Sequence, residues 1–205
     1  MILQDLTSWI LQNKVEVIAT VSGIIGVFLT ARQVIWCWPV ALINVILSGW
    51  IFWFSLLYLD FALQIFYFFM TLYGWYYWLY GGEAKTEAKV SKIPLKELAL
   101  YFITTLIAAP ILGYVFTKYT NAALPYWDSL VFVWGVIGTI MMAKKYIENW
   151  ILWIINDLVC VGIYFVKDLY GFTFLYLIFT LLAVFGYIEW RKDFNLRKDI
   201  YISRD

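Results

Sequence analysis

The 205-residue chain contains no histidine. That excludes a His-ligated metal site and a histidine proton shuttle outright. Its two cysteines, Cys37 and Cys160, are too few and too far apart for a metal-ligand spacing, and they read as small apolar side chains. No metal and no cofactor is expected. The net charge is only +1, with an isoelectric point near 7.6, so there is no basic surface to hold nucleic acid. The opening MILQDLTSWILQ carries Asp5 and no Lys or Arg, and so lacks the basic start of a signal peptide. Residues 1–14 are predicted to be a short amphipathic lead-in.

What is abundant is apolar: 64% of the residues are hydrophobic and the mean hydropathy is +0.79. Soluble domains are about 45–50% apolar. An excess gathered in long runs means membrane spans, each of about 20 residues. Seven stretches are long enough, near 15–31, 35–56, 59–80, 97–117, 125–143, 146–166 and 170–190. They must be helices, because lipid offers no partner to an unpaired backbone group. The expected fold class is therefore an all-α integral membrane protein with seven transmembrane helices.

Seven spans put the termini on opposite sides. One side holds Lys14, Lys118 and Lys167; the other holds the remaining twelve Lys and Arg, from Arg32 through Lys144 and Lys145 to Arg204. The positive-inside rule then places the N-terminus outside and the C-terminus in the cytoplasm.

Shifted by 112 residues, the sequence matches itself without a gap. VSGIIGVFLTARQVIWCWPVALIN (21–44) falls on VWGVIGTIMMAKKYIENWILWIIN (133–156), pairing Gly23 with Gly135, Gly26 with Gly138, Trp38 with Trp150 and Asn44 with Asn156. Gly74 pairs with Gly186 and Trp78 with Trp190. The reading is a three-helix repeat over 15–80, a linker with the fourth helix over 81–124, a second repeat over 125–190, and a cytoplasmic tail over 191–205. Three spans invert the chain and the fourth restores its direction, so the repeats are parallel. This 3+1+3 plan is that of parallel-repeat transporters, with substrate near the membrane midplane.

At 100° per residue, Asn149, Trp150, Trp153, Asn156, Asp157, Cys160 and Tyr164 share an arc of about 120° on span 6. Asn156 lies about 15 Å into the span, half the hydrocarbon thickness. Asn44 sits at the same depth in span 2, on the stripe Trp38–Asn44–Ser48. A midplane Asn can be inter-helix glue, and for Asn44 glue and a substrate role stand level. Asp157 has no repeat mate, since Val45 occupies that place, and no intramembrane Lys or Arg to pair with. Such an acid either keeps its proton, borrows amide partners, or meets a cation from outside the protein. On span 3, Gln64, Tyr67, Thr71, Trp75 and Trp78 recur at helical spacing. Trp78 fits an aromatic belt at the interface, whereas Gln64 and Tyr67 lie deeper. Aromatic faces, amides and a carboxylate suit a small planar molecule with hydroxyls and a positive charge.

Gln64 to Trp78 reads Q-x-x-Y-x-x-x-x-x-Y-G-W-x-x-W, and Glu148 to Asn156 reads E-x-W-x-x-W-x-x-N. With PYWD before span 5 and the 3+1+3 plan, the chain resembles the PnuC family of bacterial vitamin transporters over about residues 15–192. That family resembles the SWEET sugar transporters in architecture, although span 1 here lacks their proline. The resemblance implies uptake of nicotinamide riboside across the bacterial inner membrane by facilitated diffusion. It also implies trapping of the vitamin by a cytoplasmic vitamin kinase, and a homotrimer. Its substrate contacts map onto Gln64, Trp150, Trp153 and Asn156, with Tyr73, Trp75 and Trp78 packing or gating nearby. The full set expected at the substrate is Asn44, Gln64, Tyr67, Thr71, Trp150, Trp153, Asn156, Asp157 and Tyr164; Trp38, Tyr73, Trp75, Trp78, Gly23 and Gly135 are expected to pack or gate. Thiamine stays open as an alternative, because thiazolium and pyridinium are both fixed cations; riboflavin is neutral and gains nothing from Asp157. An intramembrane enzyme would need a nucleophile with its base, or paired acids, and a retinal protein would need a lysine deep in a helix. Neither is present.

Overall fold

A computed structural model of the chain describes residues 14–56, 58–120 and 123–202. Among them seven α-helices follow in order: α1 Lys14–Ala31, α2 Cys37–Phe54, α3 Tyr58–Tyr80, α4 Leu95–Tyr119, α5 Pro125–Ala143, α6 Asn149–Val166 and α7 Tyr170–Ile202. Six of them, all but α3, are long and apolar enough to cross a membrane. α3 has the length, at 23 residues, but Gln64 and its many tyrosines and tryptophans make it less apolar. The predicted lead-in lies outside the described residues as far as residue 13. The predicted tail is not a separate element: α7 runs unbroken to Ile202, its charged part laced by Lys192–Glu189 (3.2 Å) and Arg197–Asp193 (3.0 Å). Pairs three and four residues apart meet on one helix face, which is why the helix outlasts its apolar stretch.

Local geometry repeats at the interval seen in the sequence. α2 and α6 begin and end 112 residues apart, α1 and α5 end 112 apart, and α3 and α7 begin 112 apart. Non-glycine residues adopt positive φ at Gln33 and Lys145 (both 56°), and at Leu56 and Asp168 (60° and 57°). Three of these are left-handed C′ residues of Schellman closures. The N–H groups of Val34, Tyr146 and Leu169 reach back to the carbonyls of Leu29, Met141 and Tyr164 at 2.9–3.0 Å. Those bonds satisfy carbonyls that a helix end leaves open.

The chain forms two compact units, 1–76 and 77–205. In the first, α1 packs on α2 at the small Gly26, where an added Cβ would sit 3.8 Å from Val40. Trp38 is buried, with its ring in the notch that Gly74 leaves in α3; any Cβ there would collide with it.

In the second unit α5 packs on α4 and α6, and α6 packs on α7. Trp150 fills the matching notch at Gly186 and meets Trp190 edge-on at 5.4 Å. Trp78 is 2% exposed, 5.8 Å from Trp190, and its indole N–H donates to the Met142 carbonyl at 3.3 Å. The aromatic-belt reading of Trp78 is thus corrected: the ring is buried among protein groups because Trp190 and the α5 end enclose it. The segment before α4 is tied to the α5–α6 turn. Ser91 and Tyr146 form a parallel bridge, Lys145 Nζ donates to the Ala88 carbonyl (2.9 Å), and Glu148 accepts from the Ile93 N–H (2.9 Å). Glu97 accepts from Lys144 (2.8 Å), Tyr146 (3.0 Å) and Tyr101 (3.1 Å). Burial, then the bond to Glu97, push the Tyr146 phenol up to about 12. Burial opposes the charge on Lys144, but Glu97 outweighs it and the ammonium's pKa is raised. Both donors therefore keep their protons at physiological pH.

Replacing Glu97 with Gln should cost about 1–2 kcal/mol, discounted because the ion pair is part-exposed. The melting temperature should fall by about 2–8 °C. Heating with a fluorogenic maleimide, which reports exposure of the buried Cys37 and Cys160 thiols, measures it; an unchanged melting curve would show that this network does not hold the turn.

Candidate functional site

α6 carries the polar face. Asn149, Trp150, Asn156, Asp157 and Cys160 are all buried, as is Ile163, while Ile151, Ile155 and Leu158 are exposed. Trp153 and Tyr164, also on that arc, are half-buried. The arc divides into two rows. Trp150, Asp157 and Tyr164, seven apart, form the row toward α7. Trp150 abuts Gly186, and the Tyr164 ring stacks with Phe172 and Tyr176, each at 5.2 Å. Asn149, Trp153 and Asn156 form the other row, from which Trp153 turns toward α5: an added Cβ on Gly138 would lie 2.9 Å from its ring.

Hydrogen bonding separates the two midplane residues from everything around them. Asn156 is 3% exposed and its side-chain carbonyl has no donor among the described residues. Asp157 is 5% exposed, and among the described residues no hydrogen bond or ion pair reaches its carboxylate; its neighbours in electrostatic reach are the Cys160 thiol and the Tyr176 phenol. The indole N–H groups of Trp150 and Trp153 are likewise buried without acceptors among the described residues. Native structures pair nearly all such groups, and their concentration on one helix face makes it the candidate site. Trp150 itself is 1% exposed, whereas Trp153 is half-buried and keeps part of its ring accessible.

The first unit treats its residues differently. Asn44, mate of Asn156, donates its amide to the Ala19 carbonyl of α1 at 2.6 Å, an inter-helix tie. Thr71 is buried and spends its hydroxyl on the Tyr67 carbonyl (2.7 Å). Tyr67 and Trp75 are half-buried, Tyr73 exposed, Gly23 half-buried in α1; in the second unit Gly135 is buried in α5. Gln64 makes no hydrogen bond among the described residues and lines an open groove of about 480 Å³ between α2 and α3, with Val45, Gly49, Trp53, Phe61 and Phe68. The equivalents of Gln64 and Val45 in the second unit are Tyr176 and Asp157. Sequence reasoning missed Tyr176, and it gave Gly138 and Gly186 no role as ring seats; the signal for Gly186 was its pairing with Gly74 at one offset. Among the described residues no group of three acidic or thiol side chains could hold a metal.

Six helices able to cross lipid, with a buried polar face midway along one of them, define a multi-pass membrane protein. Residues 13–192 match the nicotinamide mononucleotide transporter family, and the chain belongs to it. It is 29% identical over 208 residues to the nicotinamide riboside transporter PnuC of Escherichia coli, covering 89% of this chain and 85% of that protein. It is 26% identical over 180 residues to the riboflavin/roseoflavin transporter RibM of Streptomyces davaonensis, covering 85% and 83%. The crystal structure of the vitamin B3 transporter PnuC shares the fold, with a TM-score of 0.71 over 93% of this chain and 86% of that one, at 21% identity.

Asn44→Leu should lower the melting temperature, losing about 1 kcal/mol with the Ala19 tie. Asn156→Leu should leave it unchanged or raise it, because an unanswered buried amide is removed, yet should weaken substrate binding. Paired melting and binding titrations check this; equal destabilisation by both changes would make Asn156 a structural tie as well.

Proposed function

We propose that this chain takes up a small cationic vitamin, nicotinamide riboside, across the bacterial inner membrane. The observation that carries the reading is the buried Asn156 carbonyl without a donor among the described residues, next to the buried Asp157 on α6, in a chain of this transporter family. Trp153 offers its ring to the pyridinium; Asn156 accepts from the carboxamide or a ribose hydroxyl; Asp157 supplies the negative charge that a fixed cation needs in a low-dielectric site. Gln64 keeps a second amide available in the first unit.

The proposed frame is seven spans on the 3+1+3 parallel-repeat plan, with the N-terminus outside and the C-terminus in the cytoplasm. The repeated helix boundaries and caps support the repeat, and the twelve-to-three division of basic residues supports the orientation. Transport is by alternating access and facilitated diffusion. The carboxylate provides binding rather than energy, so net uptake rests on a cytoplasmic kinase that phosphorylates the vitamin. A homotrimer is the proposed assembly. Asp157 serves thiazolium as well as pyridinium, which makes thiamine the second reading. Riboflavin, carried by one relative by name, is neutral.

Asp157→Asn should weaken binding of nicotinamide riboside and thiamine by roughly tenfold or more at neutral pH, and leave riboflavin unaffected. Quenching of tryptophan fluorescence in the purified protein measures this. Unchanged affinity for both cations defeats the charge-pairing account.

A further inference from the structure

Trp153 keeps its place through one atom's absence. The Nε1–Cε2–Cζ2 edge of its indole, which spans both rings at their fusion, enters the notch at Gly138 of α5, where a Cβ would stand 2.9 Å from Cε2 and 3.1 Å from Cζ2 and Nε1. The 2.9 Å contact requires something to shift and the two at 3.1 Å require the neighbour to give by a few tenths of an ångström, and the atoms that would have to give belong to a rigid bicyclic ring, not the tip of a flexible chain. The same position in the first repeat is Gly26, and it does not share this duty. Its ideal Cβ meets only Val40 Cγ1 at 3.8 Å and the Ala41 nitrogen at 4.0 Å, ordinary contacts. The mate of Trp153 is Ala41, so the first repeat has the glycine without the ring. Gly26 leaves room for a methyl, whereas at Gly138 the notch is occupied by a side chain. Asn156 follows Trp153 by three residues, nearly one turn, so the ring's seat also sets how much room remains beside the Asn156 carbonyl.

We infer that Gly138 is a positioning residue: it seats the Trp153 indole against α5 and thereby sets the depth and width of the space in which a planar vitamin ring stacks beside Asn156. The inference rests on the reading of Trp153 as the substrate's aromatic platform. A methyl at residue 138 pushes the indole off α5 into that space, so the wider of two planar substrates suffers more. Gly138 acts through Trp153 and touches no substrate itself.

The experiment is a binding cycle with nicotinamide riboside and riboflavin on Gly138→Ala, Trp153→Leu and the double variant, with Gly26→Ala as the matched control. Gly138→Ala should weaken nicotinamide riboside by about tenfold and riboflavin by more, and shift the tryptophan emission, while Gly26→Ala behaves as wild type. In the Trp153→Leu background, whose side chain ends short of the notch, Gly138→Ala should have no further effect on affinity, emission or melting temperature. Losses that simply add, or a silent Gly138→Ala beside a damaging Trp153→Leu, overturn the inference. If Trp153→Leu itself binds both vitamins as wild type does, the platform reading fails instead. Should Gly138→Ala prove unable to fold, the double variant decides: folding restored supports the collision with Trp153, and folding still lost refutes it.

Discussion

Lipid offers no hydrogen-bond partner, so every polar side chain on a spanning helix must be answered by the protein or by what the protein carries. Most of the polar groups are answered at short range. Thr30, Thr71, Ser129 and Thr139 return their hydroxyls to carbonyls one turn back at 2.7–2.8 Å. Asn44 ties α2 to α1, and Trp78 reaches a carbonyl at the end of α5. On α6 the carbonyl oxygens of Asn149 and Asn156 and the indole N–H groups of Trp150 and Trp153 are buried without a partner among the described residues, and no hydrogen bond reaches the carboxylate of the buried Asp157 there. The candidate site is defined by that remainder more than by any cavity.

The local geometry repeats along the chain, and the candidate site lies where the repetition fails. Helix boundaries, left-handed caps and indole-in-glycine notches recur at 112 residues. Where the copies diverge, chemistry appears: Val45 against Asp157, Ala41 against Trp153, Gln64 against Tyr176. The first repeat spends its midplane amide on an inter-helix tie, and the second leaves its amide carbonyl unspent.

Much of this was legible in the sequence, and for physical reasons. Long apolar runs located the helices to within three residues at most ends, because lipid admits nothing else. The offset paired Trp38 with Trp150 and Gly74 with Gly186, but only the structure shows each tryptophan ring seated at the glycine of its own repeat, which the pairing did not foretell. The stops were harder to read. Gln33, Lys145 and Asp168 occupy left-handed caps where glycine is usual, so the sequence carried no glycine signal there. Nor could a helical wheel say that Trp150 seats against Gly186 of α7 while Trp153 turns to Gly138 of α5. That depends on which neighbour fills each side. Trp78 looked like an interfacial ring because its burial is due to Trp190, over a hundred residues later in the chain.

The central claim is that the face on α6 holds a fixed positive charge. The most direct measurement compares binding of nicotinamide riboside with that of its reduced dihydro form, nearly identical in shape but uncharged, to the purified wild-type protein at neutral pH. The account predicts that the cation binds at least about tenfold more tightly, the differential that one desolvated charge pair can supply. Equal affinity for the two forms, or preference for the uncharged one, would contradict it.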